Sequence, residues 1–431
     1  MKSRLNLFLT ILTGLVLIAA MAGSVLVPMP PSSREQITLG GTRSVVCAVG
    51  PSGGGSTVGT STVHLTDAKD LTAHQVGGAG HDPDSLVTFE AAEKPVVADG
   101  TPMLGGVTIY SDSGKTAMVP CVSPASYGIW NGVPINQSAT LVLTNVDPAP
   151  AVVDVFLLGQ SGPIPVPGLR DINISAGSTG TLLLDPLTSS PTPITVVMRV
   201  SKGRIAGTIR MAGDAGIEWM APQPAAESIL VITGIPAVEG SRVLTVTNAG
   251  DEKATFTLKA LTESGDFLPL GDTPIDVSAL DVLEMDVTQA IGTQATTLVL
   301  TSTAPISASI TVKGSDIAII SAQGPLGAGL TFPGVESATL WLSNPTDKRV
   351  IVTVASDDGQ GNQESTQLVL PPESTASTPY PETGRVVLTA ESEAAVHAAL
   401  VVTGTSVSVI PLTSGSLASV MQVPDLDPGL G

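Results

Sequence analysis

Few residues in this chain have the types and spacing that chemistry requires. Gly50-Pro-Ser-Gly-Gly54 satisfies the G-x-S-x-G pattern of serine hydrolases. That pattern works between a strand and a helix, where a sharp elbow lifts the serine hydroxyl toward its base. Here it runs into Gly55-Ser-Thr-Val-Gly59, so Ser52 reads as a chance match in a Gly/Ser-rich turn. The four histidines are His64, His74, His81 and His397, and His81-Asp-Pro-Asp84 adds two carboxylates. Neutral imidazoles with carboxylates bind zinc and other divalent ions, which makes His64, His74, His81, Asp82 and Asp84 the metal candidates. Their spacing matches no metal motif, and exposed loop histidines beside a turn aspartate are the preferred reading. Asp357-Asp358 and Asp425/Asp427 offer oxygen ligands for calcium but lack EF-hand spacing, so they read as solvated turns. A sugar platform stacks several exposed rings, whereas aromatics are only 3% of this chain. Trp130, Trp219 and Trp341 are therefore expected to pack strands. No catalytic residue, cofactor site or metal site is assigned.

The elements that position these residues announce themselves as a repeat. Ala139-Thr-Leu-Val-Leu-Thr-Asn145, Arg242-Val-Leu-Thr-Val-Thr-Asn248 and Ala338-Thr-Leu-Trp-Leu-Ser-Asn344 are copies of one pattern. The Asn residues lie 248 − 145 = 103 and 344 − 248 = 96 positions apart, about one β-sandwich domain. Apolar residues four and two positions before each Asn fall on one face of a strand: Leu141 and Leu143, Leu244 and Val246, Leu340 and Leu342. A second strand follows a polar turn, with inward pairs Val153 and Val155, Phe256 and Leu258, Val352 and Val354. Gly162, Gly265 and Gly361 then share one offset, as a turn needing positive φ demands.

Composition agrees. Gly and Pro are abundant, Val, Thr, Ile, Ser and Leu supply a strand-like composition, and charged residues are only 13%. A net charge of −19 argues against nucleic acid, whose phosphates need clustered Lys and Arg, and against docking on anionic lipid. The first segment, Met1-Lys-Ser-Arg4 followed by an uncharged run from Leu5 to Val27, reads as a signal anchor or signal peptide. Retention in the membrane through Leu5 to Val27 is favoured; Ala20-Met-Ala22 offers cleavage after Ala22 as the alternative, giving a secreted chain. Either way everything after Pro28 is expected outside the cytoplasm. The two cysteines, Cys47 and Cys121, are expected to form a structural disulfide there.

The expected fold class is all-β: tandem immunoglobulin-like or fibronectin-III-like sandwiches after one N-terminal membrane-spanning or signal helix, with a β-propeller as the alternative. The expected division is 1–33 (signal anchor or signal peptide plus linker), 34–124 (a diverged, disulfide-stapled β domain), 125–224, 225–325 and 326–416 (sandwich repeats) and 417–431 (polar tail). Pro/Gly/Ala-rich junctions suggest short stiff joints and a rod, with residues 226–325 able to fold alone.

The N-terminal span with Val45-Val-Cys47, the "L-x-L-T-N, then V-x-V" pattern and the shared run in Ile229-Leu-Val-Ile-Thr-Gly-Ile-Pro236 and Gly128-Ile-Trp-Asn-Gly-Val-Pro134 together carry a family resemblance. The chain resembles an uncharacterised family of secreted or membrane-anchored actinobacterial proteins classed as a domain of unknown function. The resemblance implies extracytoplasmic placement and brings no catalytic motif. The leading expectation is a non-enzymatic envelope protein, a spacer or interaction scaffold. The alternatives are an accessory or binding module for cell-envelope glycan or a secreted protein partner and, more remotely, a hydrolase around Ser52 or the first-domain histidines.

Overall fold

The structure is a computed structural model describing residues 43–413 apart from 51–59, 67–70, 77–86, 91–93, 101–103, 113, 136, 214–215, 328, 359–361 and 392–395. The Leu5 to Val27 run and the 417–431 tail lie outside the described residues. No helix among the described residues is long and apolar enough to cross a membrane.

The described chain is built from strands that stack as four two-sheet sandwiches. In the first, β1 (Arg43–Cys47), β3 (Thr72–Gln75) and β5 (Val96–Gly100) form a sheet of order β1-β5-β3. It faces β4 (Val87–Phe89), β2 (Thr60–Leu65), β6 (Gly106–Asp112) and β7 (Lys115–Pro120), paired in that order. In the second, β8 (Tyr127–Val133), β10 (Ala151–Gly159), β11 (Gly162–Ile164), β12 (Ile172–Ile174) and β14 (Ile194–Lys202) make the outer sheet. Its inner sheet has order β13-β9-β15-β16, from Ser178–Leu183, Thr140–Asn145, Ala206–Gly213 and Gly216–Met220. The third uses β17 (Glu227–Ile235), β18 (Ser241–Asn248), β19 (Ala254–Thr262), β20 (Gly265–Phe267), β21 (Ile275–Val277), β22 (Asp281–Asp286), β23 (Thr296–Lys313) and β24 (Ile317–Ser321). The fourth pairs β25 (Gly329–Pro333), β30 (Arg385–Ala390), β27 (Val350–Asp357) and β28 (Gln363–Leu370). Its inner sheet pairs β29 (Ser374–Pro379), β26 (Ala338–Asn344), β31 (His397–Thr403) and β32 (Val407–Leu412). The propeller alternative does not hold, because each unit is two sheets over a core where a blade is one sheet.

Period-two alternation explains how one motif serves two surfaces. Leu141 and Leu143 enter the second core with Val153, Val155, Val196 and Met198. The residues between them point out of the sheet, and in the later copies this outward row meets the preceding sandwich. Thr247 bonds Thr195 at 2.6 Å, and Ser343 bonds Thr297 at 2.6 Å. A fourth copy sits in the first sandwich: Thr62-Val-His-Leu-Thr66 puts Val63 and Leu65 in the core, with β2 between β4 and β6 as β9 lies between β13 and β15. Local sequence also sets the differences. Gly203, at φ 79°, breaks the path between β14 and β15. The third copy has Ser302-Thr-Ala-Pro305 there, with no glycine, and β23 runs unbroken through both sheets for 18 residues.

The sandwiches do not follow one another as a rod. The opening strands of the second, third and fourth lie across the next unit's sheet: β8 against β18 and β23, β17 against β26 and β31, β25 against β2 and β6. The last contact brings the fourth sandwich back to the first, where Val107 and Met118 share a core cluster with Leu330 and Phe332. Between first and second, Tyr110, Ala117 and Val119 pack with Ile217 and Trp219. The closing strands β7, β16, β24 and β32 touch in cyclic order and return to β7. The four units therefore close a ring, because outward faces rich in Val, Ile and paired hydroxyls are buried only by a neighbouring unit.

Candidate functional site

The expected metal candidates are not gathered by the described strands. His64 lies on β2, half-buried, with Nδ1 3.1 Å from Thr88 Oγ1, and burial pulls its imidazole below the ordinary value. His74 lies on β3, in the opposite sheet. Their chain neighbours Val63 and Ala73 both face the core, so alternation turns the two imidazoles outward on opposite sides. His81, Asp82, Asp84, Ser52, Asp425 and Asp427 lie outside the described residues. Among the described residues no group of three or more His, Cys, Asp or Glu could hold a metal ion. His397 is buried on β31 and donates from Nδ1 to Gln323 O at 3.0 Å. Burial lowers its pKa to about 4, so the ring is neutral. Asp357 pairs with Arg385 at 3.5 Å, and Asp358 accepts from the Asn362 amide.

The tryptophans pack strands. Trp130 is fully buried and donates from Nε1 to Met220 O at 3.1 Å, Trp219 packs at the first seam, and Trp341 covers the third core. Cys47 and Cys121 form a disulfide across a sequence separation of 74, joining the end of β1 to the residue after β7. It ties the two sheets of the first sandwich together and indicates an oxidising environment.

Polar side chains do converge where the closing strands meet. Each closing strand is an edge whose outward N–H groups have no ladder partner, and a buried N–H must find an acceptor. Thr116 N donates to Ser406 Oγ at 2.9 Å and Met118 N to Ser408 Oγ at 3.0 Å, joining β7 to β32. Val407 N donates to Asp316 Oδ2 at 3.0 Å, just ahead of β24, and Ile319 N to Glu218 Oε2 at 3.1 Å on β16. Lys115 Nζ reaches Asp316 Oδ1 at 3.5 Å from the first sandwich to the third. Burial pushes the Glu218 carboxyl well above the usual carboxylate range, opposed by the N–H groups of Trp219 and Ile319, and the Asp316 charge adds to the rise. Gln223 and Gln323, one hundred positions apart, extend the pattern: Gln223 Oε1 accepts from Ala308 N at 3.2 Å, and Gln323 Nε2 donates to Ala398 O at 2.8 Å.

The repeat Asn is a staple. Asn248 Nδ2 donates to Glu252 O at 2.7 Å and Val277 O at 3.3 Å, while Oδ1 accepts from Gly250 N at 3.0 Å. Asn145 bonds Ala149 O, Ile174 O and Asp147 N, and Asn344 bonds Lys348 O, Pro371 O and Thr346 N in the same way. One side chain thus closes its turn and pins the strand that crosses it. These polar groups serve geometry, since each carboxylate or amide faces backbone partners and no nucleophile–base pair forms among them. The clefts beside them are small. One of about 390 Å³ holds Glu239 and Asp316, and another of about 300 Å³ is lined by Tyr127, Asp251 and Glu252.

Sequence reasoning passed over Glu218, Asp316, Ser406, Ser408 and the two glutamines. The available signals were a lone carboxylate inside the apolar run Ile217-Glu-Trp-Met220 and the glutamine spacing.

No curated protein matches the chain. A solved tetra-tandem repeat from the extending region of a large adhesion protein aligns with 86% of this chain and 98% of its own, at 10% identity and TM-score 0.12. A Streptomyces avermitilis alpha-L-rhamnosidase complexed with L-rhamnose aligns with 80% and 54%, at 8% identity and TM-score 0.12. Scores so low carry no argument. A family model does match, over residues 112–381, which is more than half of the 431 residues. The chain belongs to that family, a family of unknown function (DUF5719).

Proposed function

We propose that this protein is a non-enzymatic extracytoplasmic scaffold of the cell envelope, tethered through Leu5 to Val27 and presenting a closed ring of β-sandwiches. One observation carries the reading. The polar side chains that converge, from Glu218 and Asp316 to Gln223 and the repeat asparagines, are engaged with backbone groups of neighbouring strands. The disulfide supports the compartment, and the uncharged N-terminal run supports the tether.

Two arms test it in the native host. Ser264 is exposed beside β20, so Ser264→Cys should react with a membrane-impermeant maleimide on intact cells, while Cys47 and Cys121 react only after reduction. Reduced native cysteines, or labelling of Ser264→Cys only after lysis, would contradict the location. A chain carrying Ser52→Ala, His64→Ala and His81→Ala should restore whatever envelope defect deletion of the protein causes. Failure of that variant, when folded and present at normal level, would return the hydrolase reading.

A further inference from the structure

Three pseudo-equivalent sheet edges treat their exposed backbone differently. In the second sandwich the edge beside β10 is split into β11 and β12, with Pro163, Pro165 and Pro167 in and between them. In the third it is split into β20 and β21, with Pro269 and Pro274 between. Each broken edge also lies against the next sandwich, β11 against β22 and β20 against β29. Short strands, proline and covering elements are how proteins keep an edge from pairing with another chain.

The fourth sandwich uses none of these devices. Its edge β28 is a single eight-residue strand, Gln363-Glu-Ser-Thr-Gln-Leu-Val-Leu370, in unbroken register with β27 from Val350↔Leu370 to Asp357↔Gln363. It has no proline, lysine or bulge, and among the described residues it ends its sheet and no second strand pairs with it. Residues 363–367 are all exposed, and Val369 is 51% exposed. An open slot of about 260 Å³ runs beside it, lined by Glu364, Thr366, Thr378 and Tyr380, with room for alternate side chains of an added strand.

Charge indicates the occupant. Exposed Lys348 and Arg349, with Asp347 beside them, precede β27 and so lie at the Leu370 end of the edge, whereas Glu364 lies at the opposite end, where Asp357 is already paired with Arg385. Antiparallel pairing of the edge with its own copy sets the basic end of each against the acidic end of the other. Glu364 is the only charge within the strand. Centred on Thr366 or Gln367, the pairing puts Glu364 opposite Leu368 or Leu370 and never opposite itself. We infer that β28 is a homodimerisation edge, joining two copies of this chain through an antiparallel β28–β28 ladder about a two-fold axis.

The test uses the full chain. Sedimentation should show a two-chain species that weakens with added salt. Thr366→Lys with Gln367→Lys puts like charges across the axis at exposed positions, so it should give a single chain that keeps the wild-type circular dichroism and a cooperative melt. The two native cysteines are already bonded, so Thr366→Cys or Gln367→Cys adds one reactive thiol. At least one of these should form a disulfide-linked dimer under mild oxidation, and Asp266→Cys on the broken edge β20 should not. A single chain at every concentration would overturn the inference. So would a dimer indifferent to the two lysines, or a single chain that captures an added extended peptide along β28.

Discussion

Replacing Asn248 by Ala removes three hydrogen bonds at once and strands the buried carbonyl of Val277. Asn248→Ala should therefore cost about 3 kcal/mol in chemical denaturation. Asn248→Asp should be nearly as damaging, because a carboxylate cannot donate to Glu252 O and Val277 O; a harmless Asp variant would refute the staple. The buried ionisable groups fix opposing pH responses. Glu218 titrates higher in the folded chain than in the unfolded one, so its contribution is full at acid pH and is lost as pH rises from the ordinary carboxylate range. Glu218→Gln keeps an acceptor for Ile319 N and should gain on the wild type as pH rises. His397 titrates lower when folded, so its contribution is full above about pH 6.5 and falls by about 3 kcal/mol as pH drops to about 4. Denaturation midpoints of wild type, Glu218→Gln and His397→Asn across pH 4 to 8 check both slopes. Of these residues the asparagine was legible, because it recurs at one offset in the motif. Its role was not, since the carbonyls it holds lie up to 29 residues away.

Among the elements, strands with a strict apolar alternation were readable and half-buried edge strands were not. The pairs Leu141/Leu143 and Val153/Val155 marked β9 and β10 directly. β13 (Ser178-Thr-Gly-Thr-Leu-Leu183) alternates between half-buried and exposed, carries no core signal and was missed. The entry to this strand type has its own backbone demand. Gly177 (φ 57°), Leu280 (φ 54°) and Glu373 (φ 46°) occupy the same place before β13, β22 and β29. Leu280 is 39% exposed, so Leu280→Gly removes strain and little burial, and should leave the melting temperature unchanged or raise it, a gain of up to about 1 kcal/mol. Gly234 is the reverse case: at φ 84°, an added Cβ would come 2.9 Å from Ala399 Cβ across the seam. Gly234→Ala should cost about 2–3 kcal/mol. Equal stability of Gly234→Ala and wild type would mean that the third and fourth sandwiches do not press together there.

For the molecule as a whole, period and composition revealed the sandwiches but not the ring. A rod and a ring have the same motifs, because what separates them is which outward faces meet. Those faces carry Thr and Ser, which read as solvated until Thr195–Thr247 and Thr297–Ser343 are seen as buried pairs. Residues 226–325 alone would uncover Val231, Thr297 and Val299, so the sequence's expectation that they fold independently should fail. Deleting the first sandwich should likewise destabilise the fourth, because it strips the cover from Leu330 and Phe332. Hydrogen exchange at the amides of Thr116, Met118, Ile319 and Val407 tests the ring most directly. Each donates only to a side chain of another sandwich. In a closed ring all four should exchange as slowly as core-strand amides, through global unfolding. If they exchange at the rate of open edge strands while Leu143 and Val246 stay protected, the sandwiches are separate and the ring is wrong.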